Sequence, residues 1–191
     1  DPEPAGEKRF IVKRKDAPNL MTIAFKTPEV GHPRLFALDI AEGVLNGRSG
    51  RLYKRLVEEE KLAVSVRAAN SPNKYVSEFS ISVQLRPDAS LEKAEKIIWE
   101  ELERLKNEPV SLREFQKVKN NSYASIVRSL RDMENVATML AWYEIFGDYK
   151  IFLSWAEKLD SVSVENVQEA AKETFKKELS VNGILLGTQG E

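Results

Sequence analysis

Residues 75–85 have the sequence Tyr-Val-Ser-Glu-Phe-Ser-Ile-Ser-Val-Gln-Leu, in which apolar and polar side chains alternate strictly from Phe79 onward. This alternation predicts a β-strand with one buried and one wet face, as in antiparallel sheets. Pro87 ends the pattern. Before the turn residues Asn70–Asn73, a second alternation predicts another strand, with these side chains on one apolar face: Leu62, Val64, Val66 and Ala68.

Further strands are predicted near both ends of the chain. Arg9–Lys15 and Asn19–Lys26 are short extended candidates separated by the break Asp16-Ala17-Pro18. We therefore expect them to form a hairpin or an adjacent pair. A last apolar strand is predicted over Ser180–Leu186, where Gly187 ends it.

Apolar residues at three- and four-residue spacing predict helices over most of the remaining chain. Predicted starts include a cap at Ser90, a capping box formed by Ser111 and Glu114, and a cap at Ser163. The predicted helices cover residues 35–45, Arg51–Glu60, 91–105, 112–130, Met133–Phe146, Ile151–Asp160 and Val164–Lys177. Strands lead, helices follow and one strand closes the chain. That order predicts an α+β fold, a two-layer sandwich in which helices pack on one face of a mostly antiparallel sheet.

The chain has 191 residues, enough for one hydrophobic core. Residues 1–8 place two prolines and a glycine among charges, which is typical of an exposed connector. We therefore expect a connector over 1–8 and a single α+β domain over 9–191, cut from a longer chain.

Composition excludes several classes of function. Lys and Arg number 29 and Asp and Glu 30, which gives a net charge of −1 and argues against a general grip on nucleic acid or an anionic membrane. No apolar run approaches the ~20 residues that span a bilayer. Cysteine is absent, so thiolate nucleophiles and sulfur-bound zinc are excluded. These features are compatible with both the cytoplasm and an exported, periplasmic location.

His32 is the single histidine of the sequence. It is either a metal ligand or general base, or an ordinary histidine of a surface loop, and the lack of a second histidine favours the loop. Gly47-Arg48-Ser49-Gly50 matches neither a phosphate-binding loop nor a nucleophile elbow, so a helix stop followed by a tight turn is favoured.

The segment after this turn is rich in charge. Its basic residues could form an anion-binding patch and its acidic run could bind Mg²⁺ or Ca²⁺, but consecutive helical residues point in different directions. A solvated helix face is favoured, with i,i+4 pairs Lys54–Glu58 and Arg55–Glu59. The residues concerned are Arg48, Arg51, Lys54, Arg55, Glu58, Glu59 and Glu60. The aromatic residues of the later helices, among them Trp99, Trp142 and Trp155, are expected in the core or at a domain interface.

The segment Asn46–Val66, with its Gly-Arg-Ser-Gly turn, Arg-Leu-Tyr, Leu-Val-Glu-Glu and Leu-Ala-Val-Ser-Val, resembles the pitrilysin/insulinase family of zinc metallopeptidases, which includes mitochondrial processing peptidase. The resemblance extends to His32-Pro33, to Ser111–Lys119 and to Gln168–Phe175. It implies the LuxS/processing-peptidase-like metallohydrolase fold. It also implies that this chain is the second, zinc-free domain of one half-molecule.

In that family the first domain carries an inverted zinc motif, His-x-x-Glu-His, which this chain lacks. The resemblance implies that a domain of the opposing half supplies an Arg and a Tyr to the tetrahedral intermediate. Aligned on Leu62-Ala63, those positions are Val57 and Val64, so no catalytic, cofactor or metal residue is expected here. The implied partners are a sibling domain with the zinc motif, an opposing half or subunit, and an unstructured peptide substrate.

The expected function is a non-catalytic domain of a zinc-dependent metalloendopeptidase, forming part of the wall of a peptide-holding chamber and domain or subunit interfaces. Zinc is expected in the partner domain. Two alternatives stay open on the sequence: a structural or assembly subunit of the same fold without a peptidase role, and an independent hydrolase with an unfamiliar carboxylate site.

Overall fold

The computed structural model describes residues 6–188, and within them five strands form one sheet. The strands are β1 (Lys8–Lys15), β2 (Leu20–Thr27), β3 (Ala63–Ser71), β4 (Ser77–Leu85) and β5 (Val181–Thr188), in the spatial order β1-β5-β2-β4-β3. Only the β1–β5 pairing among these is parallel. The prediction of a mostly antiparallel sheet is confirmed. Of the predicted connector, residues 1–5 lie outside the described part, and Lys8 is the first residue of β1.

The predicted hairpin or adjacent pair of β1 and β2 is wrong, because β5 lies between them. β5 pairs with β1 from Lys8↔Val181 to Lys15↔Thr188 and with β2 on its other side. The connection from β1 to β2 therefore crosses the end of β5. Gly187 allows this crossing, since a Cβ there would lie 1.9 Å from the carbonyl oxygen of Ala17. Asn19 secures it by accepting a hydrogen bond of 2.9 Å from the Gly187 backbone N–H at its Oδ1.

Helices fill the segments where the periodicity predicts them. They are α1 (Pro33–Leu45), α2 (Arg51–Tyr53) with a π-helical turn (Lys54–Glu59), α3 (Leu91–Asn107), α4 (Leu112–Ser129), α5 (Met133–Phe146), α6 (Lys150–Leu153), α7 (Trp155–Ser161), α8 (Val164–Thr174) and a 3₁₀ turn (Lys177–Leu179). The predicted helix Ile151–Asp160 is broken at Ser154 into α6 and α7. The predicted caps at Ser90, Ser111 and Ser163 are confirmed.

The core lies between one face of the sheet and the helices, and α8 packs against both α1 and α3. β2 and β4 point alternate side chains into it, each at most 2% exposed: Met21, Ile23, Phe25, Phe79, Ile81 and Val83. Phe175, directly after α8, closes the layer with its ring 5.3 Å from that of Phe25 and 4.9 Å from that of Phe79. This arrangement confirms the α+β sandwich with helices on one face. In the part of the chain described, no helix has the length and apolar character needed to cross a membrane.

Phe175→Ala should lower the free energy of unfolding by about 3–5 kcal/mol, because it leaves a cavity between two buried rings. Urea unfolding measures the loss. Phe10→Ala removes the same atoms from an exposed position on β1 and should cost far less. Equal losses would contradict this account of the core.

Candidate functional site

His32 caps α1 from its N-terminal end. Its Nδ1 accepts a hydrogen bond of 3.1 Å from the backbone N–H of Arg34, and Pro33 follows at the first helical position. This residue therefore satisfies one of the free N–H groups of a helix start. Among residues 6–188 no three His, Cys, Asp or Glu side chains come together in a way that could hold a metal ion.

The segment Gly47–Gly50 is the predicted helix stop and tight turn. Gly47 adopts a φ of +75°, and the Gly50 N–H donates to the Gly47 carbonyl at 2.8 Å. A Cβ on Gly50 would lie 2.1 Å from the Asn46 carbonyl oxygen, so only glycine fits where α2 begins. The contacts of this turn therefore support a structural role, as the start of α2.

The basic residues after this turn are engaged in ion pairs. Arg51 holds Glu114 through two hydrogen bonds, from Nε at 2.8 Å and Nη2 at 2.9 Å. Arg55 pairs with Glu100 at 2.8 Å and with the fully buried Glu101 at 3.1 Å. These ion pairs connect the segment of α2 and the π-helical turn to α3 and α4. The guanidinium groups of Arg51 and Arg55 are therefore not available as an open anion-binding patch.

The predicted i,i+4 pair between Arg55 and Glu59 is replaced by these longer-range pairs, and the helix geometry explains why. Residues 54–59 are π-helical, and the N–H of Glu60 donates to the carbonyl of Arg55, five residues back, at 3.0 Å. The wider turn moves residues four apart out of alignment. Glu60, the last of the acidic run, pairs with Lys93 of α3 at 2.5 Å.

Glu114 is the carboxylate that pairs with Arg51. The Arg51 guanidinium, followed by the hydroxyl of Ser111, lowers the pKa of Glu114 to about 2. Ser111 donates to Glu114 Oε2 at 2.7 Å, within the predicted capping box. One carboxylate therefore caps α4 and also binds α2 to it.

Val57 and Val64, the positions of the assisting pair implied by the resemblance, lie in different surroundings. Val57 is half-buried and packs against the core. The prediction that Val64 shares the apolar face of Leu62 and Val66 is wrong, because its side chain is 53% exposed. A β-bulge between Ala63 and Ser65 shifts the pairing with β4 and leaves Val64 as the extra residue. Neither valine side chain can donate a hydrogen bond.

The helix-free face of the sheet carries an apolar groove of about 450 Å³. Its lining residues come from β1, β2 and β5, and none of them is charged: Phe10, Val12, Leu20, Thr22, Ala24, Val181, Gly183, Ile184 and Leu185. Gly183 makes room for the Phe10 ring, which would lie 3.1 Å from a Cβ there. The exposed face therefore has a concave apolar surface that can receive apolar groups.

Sequence reasoning missed this groove, although the sequence contains a signal for it. Leu20–Phe25 and Gly183–Leu186 are nearly continuous apolar runs, whereas the β4 pattern alternates. Continuous runs are typical of strands that are covered on both faces. Here helices cover one face, and the other is open in the described chain.

Two acidic residues of α1 support the outer edge of β3. Asp39 Oδ1 accepts from the Asn70 side-chain amide at 2.6 Å, and Glu42 Oε2 accepts from the Asn70 backbone N–H at 3.0 Å. Asn46 bonds both the N–H of Ala68, at 2.8 Å, and its carbonyl, at 2.6 Å. These contacts satisfy backbone groups that an edge strand would otherwise leave open.

Burial at this edge shifts the pKa of both carboxyl groups upward. Burial raises the pKa of Asp39 to about 7. The hydrogen bond from Asn70 lowers this pKa and repulsion from Glu42 raises it further, but burial is the largest effect. Burial likewise raises the pKa of Glu42, partly offset by the Asn70 backbone bond. Their bonds to β3 and Asn70 give these acids a structural role.

Asp39→Asn should stabilise the fold more at pH 8 than at pH 4. The folded-state pKa of Asp39 is raised, so between about pH 4 and 7 the unfolded chain loses a proton that the folded chain keeps, and stability falls as pH rises. Asparagine keeps the acceptor for Asn70 and removes this loss. Thermal unfolding across pH 4–8 measures it, with the exposed Asp88→Asn as control. A difference that does not grow with pH would contradict the assignment.

The model of the peptidase M16 inactive domain family matches residues 1–122, well over half of the chain. The chain belongs to this family. Zinc protease PqqE of Helicobacter pylori is 27% identical over 179 residues, which are 92% of this chain and 40% of that protein. The uncharacterized zinc protease YmxG of Bacillus subtilis is 26% identical over 164 residues, 84% of this chain and 40% of that protein. The chain thus spans about 40% of the length of these relatives.

Solved structures show the same fold. A protease from Helicobacter pylori superposes with a TM-score of 0.92 at 24% identity, over 97% of this chain and 45% of that one. The inactive peptidase domain of a Bordetella parapertussis protein gives a TM-score of 0.83 at 24% identity, over 94% of this chain and 96% of that one. The resemblance to zinc metallopeptidases is confirmed, and this chain is a non-catalytic domain of zinc-protease-like proteins.

Proposed function

We propose that this domain forms one wall of the peptide-holding chamber of a zinc peptidase, with the helix-free face of its sheet toward the peptide. The observation that carries the proposal is the uncharged groove on that face, in a domain of an inactive peptidase family. A substrate without fixed structure can place its apolar side chains in such a groove, because burying them is favourable.

The zinc chemistry in this proposal belongs to a sibling domain that carries His-x-x-Glu-His. Relatives more than twice as long as this chain leave room for that domain. The side chains of Val57 and Val64 cannot donate a hydrogen bond to an oxyanion, and the loss of one such donor typically lowers a rate by about 10²–10³. The assisting Arg and Tyr therefore come from the opposing half.

A pair of variants on one strand tests the chamber wall in the two-domain peptidase that contains this chain. Val12 and Ile11 are each 54% exposed, but neighbouring residues of a strand point to opposite faces, and only Val12 lines the groove. Val12→Asp should raise KM for an unstructured apolar peptide by about tenfold or more, with kcat little changed, because it places a charge in an apolar site. Ile11→Asp is the matched control. Equal effects of the two variants would contradict the proposal.

The location of the zinc gives a separate test. The isolated 191-residue chain should bind far less than one zinc ion per molecule, and the two-domain protein should bind its zinc through the sibling motif. Elemental analysis of both proteins measures this. Stoichiometric zinc in the isolated chain would show that the metal site has been misplaced.

A further inference from the structure

The groove on the helix-free face is uncharged inside, but basic residues flank it along β1. Side chains of a strand alternate between its two faces, so Lys8 and Arg14 lie on the same face as Phe10 and Val12. Both basic side chains are exposed. The groove side of β1 therefore carries a cation, two apolar groups and a second cation, in that order, over about 20 Å.

No acidic residue of the groove strands balances these two cations. The described strands β1, β2 and β5 contain neither Asp nor Glu. Lys26, the other basic residue on this face of the three strands, lies opposite Glu78 of β4. Among residues 6–188 no carboxylate forms an ion pair with Lys8 or Arg14. The rim of the groove is therefore positive, although the net charge of the chain is −1.

The opposite face of β1 shows how such a charge is paired when an acid is within reach. Arg9 lies on the side of the helices and donates two hydrogen bonds to the Glu95 carboxylate of α3, at 2.8 and 2.9 Å. Lys8 and Arg14 lie on the face without helices, where no helix brings an acid to them. A carboxylate that pairs with these two residues therefore comes from outside the described chain.

We propose that the groove selects peptides in which acidic residues flank an apolar segment. This inference rests on the proposed function for the presence of a peptide on this face. An extended peptide covers about 20 Å with six residues, so acidic side chains at its two ends approach Lys8 and Arg14. The apolar side chains between them then lie on Phe10 and Val12. Complementary charges speed the encounter and discriminate against peptides of the opposite charge.

Two features of this face favour a peptide over an anionic membrane surface. The apolar residues form a concave groove of about 450 Å³, which receives side chains rather than inserting them into lipid. The two unbalanced cations are also fewer than the clusters of about four to eight Lys and Arg residues that bind acidic lipids.

Kinetics of the two-domain peptidase with three matched peptides test this selection. The peptides share one apolar core and carry Glu, Gln or Lys at the flanking positions. The Glu-flanked peptide should have a kcat/KM at least about tenfold higher than the Lys-flanked peptide, mainly through a lower KM. Because salt screens exposed charges, this ratio should fall as the ionic strength rises.

Charge reversal on β1 shows whether the preference for Glu over Lys comes from this rim. Lys8→Glu/Arg14→Glu should lower the ratio of the two kcat/KM values by about tenfold or more, and Lys8→Gln/Arg14→Gln should lower it less. Lys13→Glu/Lys15→Glu makes the same change of net charge on the opposite face of β1 and should leave the ratio nearly unchanged. Thermal unfolding of each variant checks that it is folded.

The other outcomes separate this inference from the proposed function. Equal effects of the two Glu double variants would assign the preference to net charge and overturn the inference. An unchanged preference in both, with Val12→Asp impairing cleavage of the Gln-flanked peptide, would overturn it and leave the proposed function standing. No effect of Val12→Asp on that peptide would contradict both.

Binding to vesicles is the remaining outcome. If the two-domain protein binds vesicles of anionic lipid, and Lys8→Glu/Arg14→Glu abolishes this binding without changing the peptide preference, the rim belongs to a membrane contact and the inference is overturned.

Discussion

The contact of Phe175 with Phe25 and Phe79 is the interaction on which the rest of the molecule depends. It joins the end of α8 to the two central antiparallel strands and so fixes the helical layer to one face of the sheet. Because the apolar stripes of α1, α3 and α8 pack on that face, the other face keeps its own apolar residues exposed. The groove of Phe10, Val12 and Leu20 is a consequence of this one-sided packing.

Several charged and polar side chains of the domain hold its elements together. Arg51 and Glu114 connect α2 to α4, Arg55 and Glu101 connect the π-helical turn to α3, and Asn46 attaches α1 to the edge of β3. The guanidinium groups of Arg51 and Arg55, which could otherwise bind anions, are thus paired with carboxylates inside the fold. This agrees with membership of an inactive domain family.

The sequence predicts most of the secondary structure, because alternation in β4, the caps at Ser90, Ser111 and Ser163, and the breaks at Gly47 and Pro87 are local signals. It does not predict what depends on distant partners. The placement of β5 between β1 and β2 is set by pairings over more than 150 residues, and the bulge at Val64 is set by the register with β4. The sequence also does not predict that the groove and α5 are exposed. Apolar residues at regular spacing give the same pattern whether or not another element covers them.

The position of β5 has a consequence for how the chain acquires its structure. β1 leaves the ribosome well before its partner in the sheet, the strand formed by residues 181–188. During synthesis β1 and one edge of β2 therefore stay unpaired until the helices between them and β5 have been made. Phe10, Ile11 and Val12 of β1 are exposed during this time. Pairings this distant in sequence fold slowly and expose edges to aggregation. β1 itself carries charges of the kind that discourage edge strands from pairing with other chains: Lys8, Arg9, Lys13, Arg14 and Lys15.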